Sequence, residues 1–136
     1  MQSNIEDDNY NKMKKLISTL NDRKMNEAST RHNIIDFVLH DFLAWPKNRV
    51  DVEEYINPGF ADYILKKDNN EPLLFIEAKK EGVYFELPIP YSSSETSCFI
   101  SINKLISNEN IKSAMYQVRQ YCFDTGCEYA CITNGH

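Results

Sequence analysis

No stretch of this chain approaches the ~20 consecutive apolar residues that a membrane-spanning helix requires. Its first residues, Met1 to Asp8, are polar and acidic rather than signal-like. A cytoplasmic protein with no membrane partner is therefore expected. Also absent is any C-x-x-C pair among Cys98, Cys122, Cys127 and Cys131. Cys127, Cys131 and His136 are then the only zinc-ligand set to weigh, and reduced, mostly buried thiols are favoured over it. Positive charge is in short supply: 15 Lys and Arg stand against 20 Asp and Glu, a net charge of -5. This argues against a broad basic face for nucleic acid, although metal at an active site would neutralise part of the acid and leave such a partner open. Lys12, Lys14, Lys15, Arg23, Lys24 and Arg31 gather the basic charge in the amino-terminal third, where a solvated helix face accounts for it equally well. There are no internal repeats, no Gly-rich phosphate loop, no G-x-S-x-G and no H-E-x-x-H. His32, His40 and His136 have no evident Ser or Cys partner, which argues against a nucleophilic triad.

What is there suffices for one domain spanning residues 1–136, with 42% hydrophobic and 26% charged residues, ordinary values for a globular chain. Met13, Leu16, Ile17 and Leu20 predict a short helix over Asn9 to Leu20. A longer helix is expected from an N-cap near Asn26 to Leu43, with Ile34, Ile35, Val38, Leu39 and Phe42 as its apolar stripe and Pro46 beyond its end. Glu27 falls in its first turn, on or near that stripe. There it serves either the helix dipole or a site beneath the helix. Arg49 to Ile56 reads as a strand, and Asn57-Pro58-Gly59 as a turn. Glu81 to Pro90 continues extended, Tyr91 to Ser97 is a loop, and Cys98 to Ile102 is a short strand or turn. Ile111, Ala114, Met115, Val118 and Tyr121 predict a helix over Asn110 to Phe123, closed by Thr125-Gly126. Gln117 and Tyr121 stand four apart on one helix face. Glu128 to Thr133 is a last strand. The sum is a mixed α/β domain, a small central sheet flanked by helices.

The most informative residues are Asp62, Glu77 and Lys79. They lie in two short apolar runs, Phe60 to Leu65 and Leu73 to Lys79, separated by the polar segment Lys66 to Pro72. That arrangement predicts a β-hairpin. Pairing centred between Asn69 and Asn70 puts Asp62 opposite Glu77, where two carboxylates roughly 5 Å apart at Cβ repel. A divalent cation between them would turn the repulsion into a binding site. Lys79 shares the Glu77 face of the strand, while Leu74, Ile76 and Ala78 point to the core. The plainer alternative is a half-exposed strand with Glu and Lys facing solvent.

Taken in order, Glu27, Asp62, Glu77-Ala78-Lys79 and Gln117-x-x-x-Tyr121 resemble the PD-(D/E)XK nuclease superfamily. Within it, the chain is most similar to the amino-terminal nuclease domain of type I restriction enzyme R subunits and related defence proteins. Ile132-Thr133-Asn134-Gly135 resembles the strand that follows in that family, so the likeness runs from Glu27 to Gly135. Ala61 departs from it, standing where the superfamily name places Pro, and Val83 to Asn108 does not align. The resemblance implies a restriction-endonuclease-like core that hydrolyses DNA, double-stranded by expectation, with Mg²⁺ or Mn²⁺ as substitute. Glu27, Asp62, Glu77 and the Ala78 carbonyl would hold the metal, Lys79 would act on the attacking water, and Gln117 and Tyr121 would position phosphate or Lys79. It further implies a restriction or antiphage role beside an ATPase, helicase or sensor domain in a longer protein, with a homo-oligomer if both strands are cut. The alternative keeps the fold without the chemistry: a silent nucleic-acid-binding or protein-interaction module.

Overall fold

The computed structural model describes residues 2–20, 27–79, 85 and 99–134. Its centre is a four-stranded mixed sheet in the order β1-β2-β3-β4, built from β1 (Val50–Ile56), β2 (Gly59–Lys66), β3 (Pro72–Ala78) and β4 (Tyr129–Thr133). The first three strands form an antiparallel meander, and β4 joins β3 in parallel. A parallel neighbour needs a long crossover. Here α3 (Ile102–Leu105) and α4 (Glu109–Thr125) lie in it.

The turn between β2 and β3 explains the hairpin. Asn70 takes a left-handed φ of 65°, a conformation that Asn tolerates better than most side chains. The Asn69 carboxamide accepts the Glu71 N–H at 3.1 Å, and the Lys67 N–H reaches the Glu71 carbonyl at 2.9 Å. Beyond a bulge at Leu65/Lys66 the register pairs Tyr63 with Ile76 and Ile64 with Phe75. The ladder ends at Tyr63 and Ile76, so the Asp62–Glu77 pairing expected from the sequence lies one residue beyond its last rung.

Both faces of the sheet are covered. On one, Tyr63, Leu65, Ile76 and Ala78 pack against Ile35 and Leu39, with Leu74, Trp45 and Val50 alongside. On the other, Ile64 and Phe75 meet Tyr121 and Cys127. Tyr63, Phe75 and Ile111 are the largest side chains fully removed from water, each worth about 1.5–3 kcal/mol of transfer free energy. The half-exposed-strand alternative is thereby corrected, because α4 roofs the face that carries Glu77.

α4 has the ends its sequence calls for. Asn108 caps it by accepting the Ile111 N–H at 3.1 Å, and Gly126, at φ 72°, turns the chain out of the helix. Ile111, Ala114, Val118 and Tyr121 are buried along its inner side. The segment expected as one α-helix over Asn26 to Leu43 is a correction. It begins as α2 (Glu27–Thr30) and continues through two π-helical stretches, Arg31–Ile35 and Phe37–Phe42. Ile35 and Leu39 are buried from its expected stripe, whereas Phe42 is exposed. At Ile102 a helical turn replaces the expected strand or turn. The amino-terminal helix α1 (Gln2–Leu20) starts earlier than expected. Its Met13 and Leu16 are half-buried, Ile17 is exposed, and Lys12 pairs with Asp8 in solvent. Glu81 to Tyr84, Glu86 to Pro90, and the loop to Ser97 lie outside the described residues. No described helix is long and apolar enough to cross a membrane.

Candidate active site

The hairpin carries Asp62, Glu77 and Lys79 to one face at the end of the β2–β3 ladder. Past Tyr63 and Ile76 the main-chain pairing stops, and the Ala78 N–H donates instead to Asp62 Oδ2 at 2.7 Å. The Asp62 side chain thus closes the ladder, and that bond aims its carboxylate across the strand. Glu77 is only 2% exposed. A carboxylate so far from water requires a charged partner. Lys79 supplies one, its Nζ donating to Glu77 Oε1 at 2.6 Å. The Lys79 N–H meanwhile donates to the Thr133 carbonyl at 2.7 Å, so β4 fixes the main chain from which the ammonium swings.

α4 completes the arrangement from above. Lys79 Nζ also donates to Gln117 Oε1 at 3.5 Å, Gln117 Nε2 to Tyr121 OH at 3.3 Å, and Tyr121 OH to the Phe60 carbonyl at 2.9 Å. Each bond dictates the direction of the next. Because the phenol gives its proton to a backbone oxygen, it presents a lone pair to the Gln117 amide, which turns its own oxygen toward Lys79. The i, i+4 pair on α4 therefore runs from the β2 backbone to the ammonium. Gly59 makes room for it, since a Cβ there would stand 2.9 Å from Tyr121 OH.

Of the seven residues expected at the site, Asp62, Glu77, Ala78, Lys79, Gln117 and Tyr121 come together. Glu27 opens α2, but its side chain lies outside the described residues. Among the described residues no group of three or more His, Cys, Asp or Glu gathers to hold a metal. Two hard carboxylates on adjacent strands remain, with an ammonium already drawn to one of them. Such a donor set suits Mg²⁺, which keeps several waters and takes one or two carboxylates. Gly59, the Phe60 carbonyl and Asn134 were not anticipated. Asn134 is buried and follows the Thr133 that receives the Lys79 N–H. The N-P-G turn could have singled out Gly59, but nothing local announces a tyrosine arriving from 62 residues away.

A separate cleft of about 560 Å³, lined by Asp36, Phe37, His40, Asp41, Lys47 and Val52 among others, opens on the opposite face of the sheet. There Asp36 Oδ1 accepts the Tyr63 hydroxyl at 2.7 Å. Its acids do not meet Asp62 or Glu77, so volume does not mark the candidate chemistry. No protein-family model, curated protein or solved structure matches this chain.

Proposed function

We propose that this chain is a Mg²⁺-dependent endonuclease domain with a restriction-endonuclease-like core of the PD-(D/E)XK type, hydrolysing DNA phosphodiester bonds in restriction or antiphage defence. One juxtaposition carries the reading: Asp62 and Glu77 stand just past the last rung between two adjacent strands, with Lys79 donating to both Glu77 and Gln117. A purely structural strand pair has no need of two such acids under a helical roof.

When bound, Mg²⁺ would acidify a coordinated water and offset charge on the scissile phosphate. Asp62 and Glu77 would hold it, joined by Glu27 and the Ala78 carbonyl as the resemblance implies. Asp62 is kept in its direction by the Ala78 N–H. Lys79, which here donates to Glu77 and Gln117, would orient the attacking water, and its positive charge would stabilise the charge that develops on the phosphoryl oxygens. Gln117 and Tyr121 limit how far that ammonium can wander. Cleavage leaves 5′-phosphate ends. Partner ATPase, helicase or sensor domains would deliver double-stranded substrate, and a second copy would be needed to cut both strands.

The test is nicking of supercoiled plasmid by the purified chain in Mg²⁺ or Mn²⁺, with and without EDTA, beside Asp62→Asn and Lys79→Met. Asn is chosen because it can still accept the Ala78 N–H while losing the charge. Metal-dependent nicking by the parent and at least ~100-fold less by both variants is expected, the scale of a lost charge-stabilising group. Equal cutting by all three would refute the site. A parent that binds DNA but never cuts it would favour a silent binding module.

A further inference from the structure

Cys122 and Cys127 occupy the two positions of the α4 C-cap whose side chains conventionally meet. Gly126 reverses the chain at φ 72°, and the N–H groups of both Gly126 and Cys127 bond to the Cys122 carbonyl, the latter at 3.1 Å. In this motif the third residue from the helix end and the second beyond it make an apolar contact. Here both are thiols. Their sulfurs converge on one acceptor, the Tyr129 carbonyl, at 3.5 Å from Cys122 Sγ and 3.4 Å from Cys127 Sγ. The backbone hydrogen bond fixes the two residues close together, as a disulfide's short Cα and Cβ separations demand. Both cysteines are free thiols.

We propose that Cys122 and Cys127 form a dithiol modification site, which a small-molecule disulfide such as oxidised glutathione converts into an intrachain disulfide clamping the end of α4 to the start of β4. Cys122, half-buried, is the more accessible of the two, with Cys127 at 8% exposure behind it. The Cys122 thiolate attacks one sulfur of the reagent, and its proton goes to the first glutathione released. The Cys127 thiolate then attacks Cys122 Sγ in the mixed disulfide, and its proton goes to the second glutathione. Two protein thiols are oxidised and one disulfide is reduced to two thiols, so atoms and electrons balance. Burial, with Cys127 beside it, pushes the Cys122 thiol up to about 11. The first attack is therefore slow at neutral pH and quickens as pH rises, while the reduced form gains nothing from thiolate stabilisation. The clamp would sit one residue from Tyr121, which begins the hydrogen-bond series to Lys79.

The experiment uses the full chain carrying Cys98→Ser and Cys131→Ser, exposed while folded to oxidised glutathione at mildly alkaline pH and mapped by peptide mass spectrometry. The expected product has lost two hydrogens, links Cys122 to Cys127, retains no glutathione, and melts about 5 °C higher until reduced. Adding Cys127→Ser should trap one glutathione on Cys122. A persistent glutathione adduct in the chain with both thiols would overturn the proposal. So would a folded chain left unmodified under conditions that oxidise it in urea, or an adduct missing from the Cys127→Ser chain.

Discussion

Lys79 and Glu77 act as one unit, because the carboxylate is almost wholly out of water and the ammonium neutralises it there. Lys79→Met removes the ammonium from beside that carboxylate. Stability should fall toward the lower end of the roughly 3–5 kcal/mol seen when one partner of a buried pair is removed, since Lys79 is partly exposed. Mn²⁺ should restore more of the melting temperature in this variant than in the parent, because a bound cation replaces the missing charge. Thermal melts with and without metal read both effects, and equal shifts would speak against a cation site at Glu77. A second residue-scale consequence concerns Gly59. Gly59→Ala places a methyl 2.9 Å from Tyr121 OH, and about 1–3 kcal/mol should be lost through overpacking. In Tyr121→Phe, which costs about 1 kcal/mol by itself, the same alanine should be nearly harmless. A double-mutant cycle in denaturant measures that coupling. At this scale the sequence was informative about the hairpin that carries Asp62 and Glu77, because period-two alternation either side of one turn points to it, and it left the register open by a residue or two. It was silent on Phe60 and Gly59, whose roles depend on a tyrosine from another element.

α4 owes its start to one side chain. Asn108→Ala should cost about 1 kcal/mol by freeing the Ile111 N–H. Urea unfolding would register this as a lower midpoint at an unchanged slope. Extents of the elements were legible where breakers are local: Gly126 ends α4, and Pro46 lies beyond the helix before β1, whereas the Asn108 cap was not read and α4 starts one residue before the expected Asn110. The winding of residues 31–42 was not. Apolar residues at Ile35 and Leu39 fit α and π spacing alike over so short a span, and only the main-chain bonds distinguish them. Likewise, alternation along β3 revealed which residues share a face without revealing that both faces are covered. The covering helix lies about forty residues downstream, and strand periodicity carries no information about it.

For the molecule as a whole, the cysteine at the end of α4 predicts an alkaline limit. Cys122 is raised from 9.0 to about 11 in the folded chain. The folded state therefore holds its proton more tightly than the unfolded chain does. The resulting stability is fully present below about pH 9 and is lost as pH climbs through about 11. Under reducing conditions the melting temperature should decline over that window, and less steeply in Cys122→Ser. The mixed α/β class and the central sheet were legible because strand and helix patterns follow one another distinctly along the chain. The arrangement of the crossover over the sheet was not, since it depends on contacts between distant segments. That crossover also sets an order of events. β1, β2 and β3 can associate through neighbouring turns, whereas β4 must close a loop of some fifty residues before it finds β3. Gln117, Tyr121 and the Thr133 carbonyl arrive only with that closure, so on the folding pathway the hairpin acids come together first and their restraint comes last. Any event that lifts α4 and β4 together would return the chain to this earlier, acid-exposed meander without unravelling the hairpin itself.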